Sequence, residues 1–100
     1  MNKYNKLTVY GYILINLFFH FGNKVDKSKF NKKFGLFVAK KRINLGLTQS
    51  DLASMLGNNA QNISRLERGE VSPTLFWLKN LSEAFDISLT QLVEEFESSI

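Results

Sequence analysis

The chain has 100 residues, 44% of them hydrophobic, which allows one compact domain with a core. With no cysteine and one histidine, it excludes a disulfide framework, a thiolate metal site and a multi-histidine site, and no cofactor is expected. The formal net charge of +4 is unevenly placed: residues 1–50 hold ten Lys/Arg and one acid, residues 51–100 three and eight, which suits a basic end facing a polyanion or a solvated lysine-rich tail.

Three regions follow in order: an apolar N-terminal extension (1–22), a basic linker (23–33) and a helically patterned domain (34–97). The extension carries LTVYGYILINLFFHF, Leu7 to Phe21. At fifteen residues it falls short of the roughly 20 needed for a bilayer-spanning helix. Its lysine-bearing start resembles a leader peptide, but no small-residue cleavage site follows Phe21. Four readings stay open: a membrane or interfacial tether through Leu7–Phe21, a segment packing on the domain or a dimer mate, a leader, and non-native sequence from a misplaced start codon. Thr8–Val9–Tyr10 and Ile13–Leu14–Ile15 suit a strand equally well. The linker NKVDKSKFNKK is read as flexible chain or as an arm along DNA phosphates.

From Phe30 onward five short helices are predicted. Phe30, Phe34, Phe37, Val38 and Ile43 form a helical stripe that Gly46 ends. Thr48 caps a second helix, with Asp51 completing a capping box and Leu47 and Leu52 placed as a staple. Gly57 ends that helix, Asn59 caps a third from Ala60 to about Arg68, and Gly69 stops it. Ser72 is expected to cap a fourth helix with Pro73 at its first position and Leu75, Leu78, Leu81 and Phe85 inward. Ser88 caps a fifth, with Gln91 as box partner, Ile87 and Leu92 as staple, and Leu89, Leu92, Val93 and Phe96 on the apolar face.

Two short helices around a glycine turn suggest a helix-turn-helix. Within Gln49–Arg68, Leu52 and Leu56 face inward, Ala53 is small where helices cross, Gly57 permits a positive φ, and Ile63 and Leu66 bury the next helix. LGLTQSDLASMLGNNAQNISRLERGEVSPTL resembles the Xre/Cro-type helix-turn-helix, the class that contains lambdoid phage repressors. The resemblance covers about residues 34–97. It implies an all-α, five-helix repressor-like domain and a homodimer on palindromic double-stranded DNA, with the third helix in the major groove.

That resemblance assigns Asn59, Ala60, Gln61 and Arg65 to base contacts. It assigns Gln49, Asn62, Ser64 and Arg68 to the DNA backbone, and Arg42 and Glu67 to a structural ion pair. The chemistry agrees: Gln61 suits adenine, Arg65 suits guanine, and the Ala60 methyl suits thymine. The chain departs from many relatives at Asn58, where an aliphatic residue is common, and at Ala60, where a long polar one is. Trp77 and Phe76 read as core or dimer aromatics, and Glu94, Glu95 and Glu97 as a solvated face.

The function expected is a cytoplasmic, sequence-specific DNA-binding transcriptional regulator, a repressor without enzymatic activity. No nucleophile–base set, phosphate loop or metal spacing is present in the sequence. The alternatives are an antitoxin that binds a toxin protein and represses its own operon, and a restriction-modification control protein.

Overall fold

The computed structural model describes residues 25–99. The readings placed on Leu7–Phe21 lie outside them. The described residues form five helices and no strand: α1 (Lys27–Asn44), α2 (Gln49–Met55), α3 (Ala60–Glu67), α4 (Leu75–Ala84) and α5 (Leu89–Ser99). None of these helices is long and apolar enough to cross a membrane.

Asp26 starts α1 by accepting the Lys29 N–H at 3.0 Å. Lys27–Lys33 are therefore the opening turns of a helix about 27 Å long, not linker. At its far end Lys41 and Arg42 lie in the last turn, where the helix dipole favours cations. Thr48 and Asp51 cap α2 reciprocally: the Thr48 N–H donates to Asp51 at 2.8 Å, and the Asp51 N–H donates to the Thr48 hydroxyl at 3.0 Å. The hydrogen bond from the Thr48 backbone N–H, with a smaller contribution from the Thr48 side chain, holds the Asp51 carboxyl below its ordinary pKa. Asn59 caps α3 by accepting the Asn62 N–H at 2.8 Å. Between α2 and α3, Gly57 takes φ of +62°, a conformation that costs other residues a Cβ clash.

The predicted start of α4 is wrong by two residues. Thr74, not Ser72, is its cap, accepting the Trp77 N–H at 3.1 Å. Ser72 instead exchanges hydrogen bonds with Asn31 of α1, and Pro73 stays outside the helix. At α5, the Ser88 hydroxyl accepts the Gln91 N–H at 3.0 Å.

Every helix contributes to one core: Phe34 and Val38 from α1, Leu52 and Ala53 from α2, Ile63 and Leu66 from α3, Leu81 from α4 with Phe85 at its C-cap, and Leu92 and Phe96 from α5. Edge-to-face contacts of Phe96 with Phe34 (5.1 Å) and Phe30 (5.4 Å) join α5 to α1. Lys41 reinforces the same joint, donating to Glu95 at 3.0 Å with its ammonium 5.9 Å from the Phe85 ring centre. Of the residues expected on apolar faces, Ile43 and Leu75 are exposed, and Phe30 and Val93 stay 43% exposed although Phe30 packs on Phe96. Phe76 is exposed and Trp77 half-buried.

One glycine has a long-range reason. Gly35 lies inside α1, where glycine costs roughly 0.5–1 kcal/mol relative to alanine. A Cβ there would stand 2.5 Å from the carbonyl oxygens of Leu66 and Glu67. Only a bare backbone lets α1 lie this close to the end of α3.

Candidate nucleic-acid interface

The candidate site is the outer surface of α2, the Gly57 turn and α3. Ile63 and Leu66, at 0% and 1% exposure, fix which side of α3 is outward. Gln61 and Arg65 lie on that outer side, four residues apart and both exposed. Ala60 is half-buried, so its methyl is a small contact surface.

The amides that open α3 have internal duties. The Asn59 side-chain oxygen is committed to the Asn62 N–H. The Asn58 oxygen accepts from the Asn59 N–H at 2.8 Å and from the Asn62 side-chain amide at 2.7 Å. With their oxygens engaged in these bonds, Asn58 and Asn59 keep NH₂ donors at a helix end whose dipole already favours anions. An Asn whose oxygen is engaged this way is less free to turn its oxygen–NH₂ pair toward an adenine edge. Asn62 itself is half-buried.

At the other end of α3, Arg42 and Glu67 meet. The Arg42 Nε–H and Nη2–H donate to the two Glu67 oxygens at 2.6 and 3.0 Å, and Nη1–H donates to the Leu47 carbonyl at 2.8 Å. The side chains are 12% and 6% exposed. The hydrogen bond to Glu67 raises the guanidinium pKa further above its ordinary value, against the opposing effect of burial. The fork thus joins α1, the turn before α2, and α3. Gln49 is tied to the same carboxylate, its amide donating to Glu67 at 2.9 Å. The second N–H of that amide remains for a ligand.

Ser64 and Arg68 are also brought together: Arg68 donates to the Ser64 hydroxyl and to the Glu70 carboxylate. The Arg68 guanidinium holds the Glu70 carboxyl below its ordinary pKa. Both side chains of this ion pair are about half exposed. Arg65 has no salt-bridge partner among the described residues. No group of His, Cys, Asp and Glu among those residues is placed to hold a metal ion.

A helix-turn-helix family model matches residues 38–92, more than half of the chain and the whole of this site. The chain belongs to the Xre-like helix-turn-helix family. A curated relative, the uncharacterized HTH-type transcriptional regulator y4dJ of Sinorhizobium fredii, is 37% identical over 62 residues, 62% of this chain and 80% of the relative. Among solved structures, the restriction-modification controller protein C.AhdI of Aeromonas hydrophila matches with a TM-score of 0.63 at 29% identity. The match covers 68% of this chain and 99% of the controller. The clp gene regulator ClgR of Corynebacterium glutamicum shares the fold, with a TM-score of 0.63 at 23% identity over 70% of this chain and 74% of its own.

Sequence reasoning missed three features that position this site. It missed the tie of Gln49 to Glu67, the clasp of Asn58 on Asn62, and Gly35. Asn58 carried a usable signal, since an Asx residue just before a cap often bonds nearby backbone N–H groups. Gly35 carried a weaker one, as an isolated glycine in a helical pattern.

Proposed function

We propose that the protein is a sequence-specific DNA-binding transcriptional regulator, a repressor that binds a palindromic operator as a homodimer with α3 in the major groove. The observation that carries this reading is the exposed pair Gln61 and Arg65, presented by a helix that is fixed on its buried face and at both ends. Gln61 has a free side-chain amide to match adenine, and Arg65 a fork to match guanine. Family membership and the transcriptional regulator of Sinorhizobium fredii support the reading. Asn58, Asn59 and Gln49 direct amide donors at the DNA backbone, with Asn62, Ser64 and Arg68 beside them. Asn59 moves from the base readers to the phosphate contacts, because its oxygen is held by the cap. Ala60 lies over a thymine methyl. Lysines supply salt-dependent, sequence-independent affinity.

Selection of bound sites from random DNA tests the proposal. The expected product is a palindrome with half-sites about one helical turn apart. Arg65→Ala relaxes preference at one position per half-site, losing roughly 1–3 kcal/mol of discrimination there. Gln49→Ala weakens binding on all sequences alike. Equal, sequence-independent losses from both variants would refute these roles.

The likeness to C.AhdI, which spans 99% of that protein, favours one narrower reading, a restriction-modification control protein. Its discriminating observation is binding upstream of a neighbouring restriction gene. An antitoxin would instead co-purify with the product of an adjacent toxin gene.

A further inference from the structure

One face of the domain lies apart from the proposed DNA site. A groove of about 430 Å³ runs between α1, the Ser72–Pro73 loop and α5, and no residue of α2 or α3 lines it. Its walls are Val25, Phe30, Phe34, Leu92, Val93 and Phe96. Three of them, Val25, Phe30 and Val93, are 70%, 43% and 43% exposed. Two of its polar lining side chains satisfy each other: the Asn31 amide donates to the Ser72 hydroxyl at 2.8 Å, and that hydroxyl donates back at 3.1 Å. Lys27 and Glu97 also line the groove. A lining of this kind offers a polar ligand few anchors and favours apolar side chains.

We propose that the occupant of this groove is the chain's own segment Leu7–Phe21. Connection is the first argument. Val25 is a wall of the groove, and only Gly22, Asn23 and Lys24 separate it from Phe21. Those steps reach at most about 14 Å, and the glycine allows the chain to reverse. A tether this short gives an effective concentration in the millimolar range, far above that of an unlinked partner. Chemistry is the second argument. Leu7–Phe21 contains no Asp, Glu, Lys or Arg and offers Ile13, Leu14, Ile15, Leu17 and Phe18. Apolar side chains and apolar walls both leave water on docking. Because α2 and α3 take no part in the groove, the docked segment leaves Gln61 and Arg65 free.

The chain has no cysteine, so Val93→Cys in the full-length protein sets a single reporter thiol on the groove wall. A second full-length chain carries Phe76→Cys, at a position 74% exposed and outside the groove. Maleimide labelling is timed in each, with and without Leu14→Asp and Leu17→Asp. The Val93→Cys thiol is expected to react at least tenfold more slowly than the Phe76→Cys thiol, and the aspartate pair is expected to remove that protection. The Phe76→Cys rate and the far-ultraviolet circular dichroism are expected to stay the same. A Val93→Cys rate that the aspartate pair leaves unchanged overturns the proposal. Protection that fades on dilution overturns it as well, because the groove would then be filled by the segment of a second copy.

Discussion

Glu67→Gln is a near-isosteric change, yet it is expected to be among the most destabilising single substitutions in the domain. The carboxylate accepts three hydrogen bonds, from Arg42 Nε, Arg42 Nη2 and the Gln49 amide. A glutamine can turn its oxygen toward Arg42 Nη2 and Gln49, but its NH₂ then faces Arg42 Nε–H, donor against donor. The reverse orientation opposes two donors instead of one. Either way the guanidinium loses its counter-charge at a site where its side chain is 12% exposed. Removing one partner of a buried pair costs about 3–5 kcal/mol. The Leu47 carbonyl still accepts from Arg42, which places the expected loss near ~3 kcal/mol. For a domain of this size each kcal/mol lowers Tm by roughly 4–8 °C, so a fall of about 12 °C or more is expected in thermal melts. A companion variant isolates the cause. Arg42→Met with Glu67→Leu removes both charges, and it is expected to recover most of the loss. A fall below about 4 °C for Glu67→Gln, equivalent to ~1 kcal/mol, refutes the uncompensated-charge argument.

Gly35→Ala drives a methyl against the backbone oxygens of Leu66 and Glu67, which cannot rotate away, so a loss near ~3 kcal/mol is expected in denaturant melts. A loss no larger than ~0.5 kcal/mol would show that α1 does not need its close approach to α3. Asn59→Ala removes the α3 cap and is expected to cost about 1 kcal/mol, while Asn59→Asp keeps the cap and puts a negative charge where the proposed interface meets a phosphate. Thermal melts near wild type with weakened DNA binding are therefore expected for Asn59→Asp, and unchanged binding removes Asn59 from the interface. Asp51 has a lowered folded pKa, so its capping contribution is present above its unfolded value near ~4 and is lost as pH falls through the lower folded value. Tm of Asp51→Asn is expected to fall less steeply than wild type below about pH 4, and parallel curves would remove Asp51 as the source.

Local signals were legible and long-range ones were not. Thr48, Asn59 and Ser88 could be read as caps because the acceptor and the N–H it satisfies lie three residues apart. The choice between Ser72 and Thr74 was not local. Ser72 is drawn to Asn31, forty-one positions away, and Thr74 takes the helix start. The basic stretch read as linker begins with a cap, Asp26, but of Lys27–Lys33 only Asn31 is buried. Its lysine-rich, solvated surface hides the helical period. Ile43 and Leu75 have helical spacing but sit near helix ends, past the reach of the core. Gly35 looked like a local cost because its benefit depends on where α3 ends. In the candidate site the outward positions of Gln61 and Arg65 followed from the burial of Ile63 and Leu66. The tie of Gln49 to Glu67 needs a third helix and was invisible in sequence.

The amides at the start of α3 therefore divide by what their atoms are already doing. A base contact must offer donor and acceptor together to distinguish one base edge from another. Asn58, Asn59 and Asn62 have given atoms to one another: the Asn58 oxygen accepts two hydrogen bonds and the Asn59 oxygen one. What they keep is a set of N–H groups at the positive end of a helix, suited to phosphate, which carries no sequence information. Their hydrogen bonds also fix the first turn of α3, while Arg42, Glu67 and Gly35 fix its last. In the proposed mode reading falls to Gln61 and Arg65, whose side chains are exposed and spaced one helical turn apart. The apparent excess of polar residues is thus largely a device for orientation. Changing Asn58 or Asn59 should alter affinity on every operator, whereas changing Gln61 or Arg65 should alter which operator is chosen.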